Sequence, residues 1–271
     1  MRVAICQMHS GADVGENLDA AAAMVGRAAD EGADLAALPE YLEFMGPPSD
    51  RSHVARPIPG DTSDRLAAVA AERGIWVLAG GILERDGNKV HDTSVLIDRG
   101  GEVLATYRKI HLYDVDLPDQ PPIRESETIA AGSALITKQT EHARLGLSIC
   151  YDLRFPELYR GLMALGAEVL FVPAQFQFTT GKDHWHALLR ARAIENQCLV
   201  VAPAQCGSFG DPQERRRSYG HSLIVDPWGV VLVEAPEDET GVWVADLDLP
   251  SLRTLRQSFP VLRHRRLGFT C

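Results

Sequence analysis

The sequence has few cysteines and none in a pair. Cys6, Cys150, Cys198, Cys206 and Cys271 are five in number, odd and scattered, with no C-x-x-C. Neither a disulfide framework nor a zinc knuckle is therefore expected, and a reducing cytoplasm suits the chain best. Long apolar runs are also lacking: no stretch has the length a membrane-spanning helix needs. Arg2 is followed by only a few apolar residues before Gln7, His9 and Asp13, so no secretory leader is expected. Positive charge is in deficit, with 27 Lys and Arg against 37 Asp and Glu, a net charge of −10. Nucleic acid and anionic membranes are themselves negative and are poor partners for such a surface. The basic cluster Arg215-Arg216-Arg217 reads as a solvated loop. Finally, no Gly/Ser spacer or low-complexity linker divides the 271 residues, 45% of which are hydrophobic. One domain over residues 1–271 with one large core is the expectation.

What is present is a steady alternation of β-rich runs and helical patterns, the signature of an α/β fold. Val3 to Cys6 reads as a strand, and Leu18, Ala22, Val25 and Ala29 recur at the spacing of one helix face. Asp34 to Leu38 runs as a strand into Pro39-Glu40. A helix with cap candidates Asp61, Thr62 and Ser63 stops at Gly74, before a strand from Ile75 to Leu83. Val90 to Asp98 and Glu102 to Tyr107 form a hairpin pattern that delivers Lys109. Strands at Leu145 to Cys150 and Val169 to Val172 alternate with helices at Phe155 to Leu165 and Lys182 to Gln197. Strands at Leu199 to Ala202, His221 to Val225, Val231 to Glu234 and Gly241 to Asp246 follow. The stretch from Leu112 to Ala131, rich in proline and acids and without periodicity, reads as a long loop of the kind that covers a site.

Three strand ends carry chemistry. Cys150 lies where an apolar strand turns toward a helix, a position that exposes a side chain and aims backbone N–H groups at a ligand. A free thiol with a pKa near ~8.5 is scarcely ionised at neutral pH, so a nucleophilic cysteine needs a base or cation beside it. Lys109 can serve as that cation, lowering the thiol and stabilising an oxyanion, and Glu40 can move protons. Taken singly, a cysteine is usually buried structure, a strand-end lysine a solvated charge and Glu40 a loop acid. Together they change the odds, because open α/β sheets gather their sites at strand ends. Cys6, Cys198 and Cys206 keep the structural reading.

Leu-Pro-Glu with Glu40, Tyr-Arg-Lys-Ile-His-Leu with Lys109, and Ser-Ile-Cys-Tyr-Asp-Leu-Arg-Phe-Pro-Glu with Cys150 resemble, in order and spacing, the three signatures of the nitrilase superfamily. The likeness runs from Arg2 to about Gly268. It is strongest to the amidase branch acting on deaminated glutathione, through Thr179-Thr180-Gly181, His184-Trp185, the run Leu189 to Glu195, Ala204 to Gly207, and Ser218 to Ser222. Asp226 to Gly229 fits the superfamily at large, and the omega-amidases share much of the pattern. A longer insertion, Ser208 to Arg217, is a departure.

The resemblance implies a four-layer α-β-β-α sandwich, assembly into homodimers or larger homo-oligomers, and neither metal nor organic cofactor. The C-terminal tail, about residues 250–271, is expected at a subunit interface. The resemblance also implicates Glu125 as a second acid supporting Lys109, which its sequence alone would leave as a loop acid. Cys150, Glu40 and Lys109 are then the catalytic set, with the Tyr151 N–H helping to hold the oxyanion. The substrate-binding candidates are Tyr151, Arg154, Thr179 and Thr180. Arg154 either receives a substrate carboxylate or pairs with Asp152 or Glu157. Arg192 and Glu195 share a helix stripe and read as a partly buried structural couple. His184 and His186, two apart on a helix, point in different directions and are not expected to share a metal. The substrate is expected to be a small amide. Competing readings are an omega-amidase acting on 2-oxoglutaramate, a nitrilase with the same three residues, and a binding or scaffold protein whose Cys150 senses redox state.

Overall fold

A computed structural model describes residues 1–117, 121–210 and 216–267. Fourteen strands and six helices are described. The first half contains β1 (Arg2–Gln7), α1 (Val14–Asp30), β2 (Leu35–Ala37), α2 (Arg51–Val54), α3 (Asp61–Arg73), β3 (Trp76–Asp86), β4 (Lys89–Ile97) and β5 (Val103–Arg108). Two short strands follow, β6 (Asp114–Val115) and β7 (Ile123–Arg124), and then β8 (Thr137–Gln139), β9 (Arg144–Leu147), α4 (Pro156–Ala164), β10 (Val169–Phe171) and α5 (Phe178–Asn196). The chain closes with β11 (Leu199–Ala202), β12 (Leu223–Val225), β13 (Val231–Glu234), β14 (Gly241–Asp246) and α6 (Leu249–Ser258).

Two six-stranded sheets result, one ordered β14-β1-β2-β3-β4-β5 and the other β13-β12-β11-β10-β9-β8. In each, the central strands are parallel, β1-β2-β3 in the first and β9-β10-β11 in the second, and antiparallel strands flank them. Alternation along β1 explains the layering, since successive side chains point to opposite faces. Val3 and Ile5 join Leu35, Leu78, Leu147 and Phe171 in the core that holds the sheets together. Ala4 and Cys6 turn the other way and meet Leu18, Ala21 and Val25 of α1 and Leu66 and Ala70 of α3. On the far side, Leu158 and Leu162 of α4 and Trp185 and Leu189 of α5 cover the second sheet. The architecture is the four-layer α-β-β-α sandwich.

Local chemistry sets the helix ends. Asp13 caps α1 by accepting from the Glu16 N–H at 2.9 Å, and Pro156 opens α4, where its missing N–H costs nothing. α3 begins ahead of the expected caps. Ser63 sits within its first turn and its hydroxyl accepts from the Gly60 N–H at 2.9 Å, so Asp61 and Thr62 are already helical. α5 starts a turn earlier than Lys182, at Phe178. The tail contains α6, with Asp248 accepting from the Ser251 N–H and Pro250 in the first turn, a cap-and-proline start that its sequence displays. Leu249 and Leu252 bury this helix against its own chain, and Arg256 donates to the Gln197 and Ala167 carbonyls at 2.9 and 2.8 Å. Cys6, Cys198 and Cys206 are buried and free, as structural cysteines should be; Cys271 lies outside the described residues.

Candidate active site

The carboxyl ends of the parallel strands from both sheets meet over one cavity of about 220 Å³. Glu40 follows β2, Lys109 follows β5 and Cys150 follows β9. Their proximity depends on contacts between the sheets. The Gln205 side chain, beyond β11, donates to the Glu40 carbonyl at 3.0 Å, and the Gln175 N–H, beyond β10, donates to Glu40 Oε2 at 2.6 Å. Gly81 permits this packing, since a Cβ there would stand 3.1 Å from Glu40 Cα and 2.5 Å from an Asp92 oxygen.

Lys109 is 2% exposed and donates to Glu40 Oε1 at 2.7 Å and to the two Glu125 oxygens at 2.9 and 3.0 Å. Burial alone would lower the Lys109 ammonium, but Glu125 and Glu40 outweigh it and hold it well above the usual lysine range. Burial likewise pulls Glu125 upward. It is overcome by Lys109, by the Tyr41 hydroxyl at 2.5 Å and by the Tyr113 N–H at 2.6 Å, which hold Glu125 below its ordinary value as an anion. The ammonium is thus permanent and fixed from two sides.

Cys150 occupies a φ of +44° at the start of a 3₁₀ turn, an uncommon conformation for a non-glycine residue. The turn is held by its N–H donating to the Pro173 carbonyl at 2.9 Å, and by Asp152, which accepts from Tyr107, His111 and the Ile149 N–H. The thiol does not behave as its proximity to a lysine alone would imply. Burial and the adjacent Glu40 charge raise it well above the ordinary thiol value, and Lys109 only partly offsets them. Cys150 therefore rests as a protonated thiol, and a protonated thiol attacks only when its proton is removed at the same time. Among the described residues, no acceptor receives the Tyr151 N–H, which remains available to an oxyanion.

Tyr151, Arg154 and Thr180 line the cavity, together with Arg51, Phe209 and Arg216. Thr179 does not; it is exposed, because neighbouring residues in the first turn of α5 point about 100° apart. Arg154 pairs with neither Asp152 nor Glu157. Asp152 is committed to Tyr107 and His111, and the guanidinium lies 5.1 Å from the Phe176 ring with one N–H 3.2 Å from His184. Among the described residues it has no carboxylate partner. The described residues of the stretch from Leu112 to Ala131 do cover the site, with more order than a plain loop; residues 118–120 lie outside them. β6 pairs with β7, and Tyr113, Ile123, Arg124, Glu125 and Thr128 face the cavity. The insertion Ser208 to Arg217 contributes Phe209 and Arg216 to the wall. Arg217 is not simply solvated: it pairs with Glu237 and Asp238 and lies over the Phe178 ring. Arg215 falls outside the described residues. Arg192 and Glu195 do form their couple, at 2.9 Å, and Arg192 also holds the Leu153 carbonyl.

Asp92 escapes a reading of the sequence. It is fully buried in β4, with Oδ2 3.7 Å from Lys109 Nζ, and neither oxygen has a hydrogen-bond partner. Its neighbours His91, Thr93 and Ser94 are buried too, and a run of four polar residues in a strand is the signal that marks the place. Burial and the Glu40 charge raise the Asp92 carboxyl well above its usual range. Glu40, Asp92 and Glu125 form a cluster whose oxygens lie close enough to hold a cation, and the Lys109 ammonium contacts all three.

A buried thiol, a carboxylate and a fixed ammonium converge at the base of a pocket at the strand ends of a four-layer sandwich, an arrangement chemically fit for acyl transfer. The chain belongs to the carbon-nitrogen hydrolase family, whose model matches residues 2–257. It is a hydrolase acting on carbon–nitrogen bonds other than peptide bonds, of the amidase type. It is similar to the deaminated glutathione amidase of Homo sapiens, 44% identical over 271 residues that cover 97% of this chain and 82% of that protein. Its fold matches the crystal structure of Saccharomyces cerevisiae Nit3, a member of branch 10 of the nitrilase superfamily. The TM-score is 0.87 at 32% identity, covering 98% of this chain and 97% of that one. It also matches the Caenorhabditis elegans NitFhit protein, with a TM-score of 0.90 at 39% identity; the match covers 98% of this chain but only 65% of the other.

Proposed function

We propose that this enzyme cleaves the amide of deaminated glutathione, releasing 2-oxoglutarate and cysteinylglycine. The observation that carries the reading is Arg154. A guanidinium without a carboxylate partner, in the wall of the cavity that holds Cys150, fits a substrate that brings its own carboxylate. Relatives bearing that activity in their names, at 43–44% identity, support the choice.

In the first half-reaction, Cys150 Sγ bonds to the amide carbon as its proton passes to Glu40. The carbonyl oxygen becomes an oxyanion held by the Lys109 ammonium and the Tyr151 N–H. The carbon–nitrogen bond then breaks, and Glu40 returns the proton to the departing amine. In the second half, Glu40 takes a proton from water as its oxygen attacks the thioester. Collapse breaks the carbon–sulfur bond, and Glu40 restores the proton to the thiolate. Glu125 keeps Lys109 charged and in place throughout. The same residues can act on a nitrile or on 2-oxoglutaramate; a redox-sensing role for Cys150 leaves a proton shuttle such as Glu40 without a purpose.

The test measures 2-oxoglutarate release from deaminated glutathione and from 2-oxoglutaramate, with Cys150→Ala as the blank. Preference for the first supports the proposal. Preference for the second moves the enzyme to the omega-amidases, and inactivity on both removes the substrate assignment. Turnover by Cys150→Ala would overturn the mechanism.

The wider reading is one hydrolase domain over residues 1–271, working in the cytoplasm on a small molecule as a homodimer or larger homo-oligomer. No described helix is long and apolar enough to cross a membrane. Support for self-association comes from a patch where the exposed rings of Trp228 and Phe259 stand 6.0 Å apart beside Ile194, at the end of α6. In this reading the tail packs at a subunit interface, and sedimentation of the intact chain against a Trp228→Ser, Phe259→Ser double variant tests it.

A further inference from the structure

Outside the cavity, the fold pairs His186 with partners that the sequence keeps far apart. His184 turns to Arg154, whereas His186, further along α5, turns to the end of β13, where its Nε2 lies 2.9 Å from Glu234 Oε1. His221, just ahead of β12, brings its Nδ1 to 2.7 Å from the same oxygen. Three elements therefore aim one ligand atom each at a single point, all within 4.8 Å of one another. The side chains are 34%, 22% and 34% exposed, so one side of the cluster is open to water. None of the three lines the active-site cavity.

We propose that His186, His221 and Glu234 form a surface site for one divalent transition-metal ion of the zinc class, with water filling the remaining positions. The donor set suits it, since two imidazole nitrogens and a carboxylate oxygen are ligands for zinc and its neighbours. Distances suit it as well. Ligand atoms around a tetrahedral ion stand about 3.4 Å apart, so the cluster needs to open by roughly 0.5 Å, within reach of a half-exposed glutamate. His221 also holds a left-handed backbone conformation, φ +52°, that is uncommon for a residue other than glycine. Glu237, which pairs with Arg217, lies farther off, its Oε2 3.8 Å from His221 Nε2 and beyond hydrogen-bond reach. The ion takes the place of the two ring-to-carboxylate contacts, with each ring carrying its proton on the nitrogen turned away from the ion, and it ties α5 to β12 and β13.

Calorimetric titration of Zn²⁺ into the Cys150→Ala enzyme, which lacks the pocket thiol as a competing ligand, tests the proposal. One saturable ion per chain is expected, bound in the micromolar range. His186→Gln and His221→Gln should each weaken it at least about tenfold, while His184→Gln leaves it unchanged. Glu234→Gln keeps a hydrogen-bond acceptor and provides a third variant if a histidine change impairs folding. Binding that none of these variants weakens, or no saturable uptake below about 100 µM, overturns the site.

Discussion

The Nζ of Lys109 stands 3.7 Å from Oδ2 of Asp92, a carboxyl that no hydrogen bond reaches, while the same nitrogen donates to Glu40 and Glu125. Burial and the Glu40 charge raise the Asp92 carboxyl well above its usual range, and we expect it to keep its proton at neutral pH. Two isosteric changes then have opposite results. Asp92→Asn replaces one neutral group with another and should leave kcat/KM at pH 7 within about threefold of the parent. Glu125→Gln removes a charge that positions Lys109, and should cost about 100-fold or more, chiefly in kcat. Steady-state kinetics on the two variants decides the matter. An equal loss in both would mean that Asp92 is ionised and shares the work of Glu125.

Glu43 gives a test of stability rather than rate. It is 2% exposed, its Oε1 accepts from the Leu83 N–H at 2.6 Å, and its Oε2 has no partner. Burial pushes it up to about 8, the Leu83 N–H only partly opposing the shift. The sign follows from proton uptake. Between the ordinary carboxylate value and about 8, the folded chain keeps a proton that the unfolded chain has lost, so stability falls as pH rises through that window. Glu43→Gln keeps the acceptor for Leu83 and removes the titration. Its stability relative to the parent should rise from pH 5 to pH 9 by an amount on the order of 3 to 5 kcal/mol. Urea unfolding at the two pH values checks this, and parallel curves for parent and variant would refute it.

What the sequence shows of this site follows from what a strand end looks like. Glu40, Lys109 and Cys150 each close an apolar run, so their positions are legible, and their motifs carry the family. Glu125 is legible only by resemblance, because its contacts with Lys109 and Tyr41 are made by a loop with no periodicity. Asp92 hides because its strand is buried on both faces, so alternation does not separate inside from outside. Thr179 and Thr180 look equivalent as neighbours, and only the phase of α5 turns one inward. The Cys150 thiol shows a different limit. Adjacency to Lys109 predicts a lowered thiol, but the sign is set by burial and by Glu40, both of which depend on how the two sheets meet. The site at His186, His221 and Glu234 is a matter of tertiary structure alone, since no spacing in the chain announces it.

Arg154 separates a binding role from a structural one. Its guanidinium leans on Phe176, 5.1 Å from the ring centre, and has no carboxylate partner among the described residues, so its charge is free to meet a substrate's. A charge-assisted hydrogen bond is worth about 1.5–3 kcal/mol, or roughly 10- to 150-fold in binding. Arg154→Ala should therefore raise KM for an amide bearing a carboxylate by about that factor, with a smaller change in kcat. Arg154→Lys keeps the charge but loses the planar fork, and should fall between the two. A neutral amide is the informative control, because it has nothing for the guanidinium to hold. If Arg154 serves substrate, the variants turn over the neutral amide as the parent does. If both substrates suffer alike, Arg154 supports the Cys150 turn through its packing on Tyr151 and Phe176, and the carboxylate lies elsewhere in the cavity.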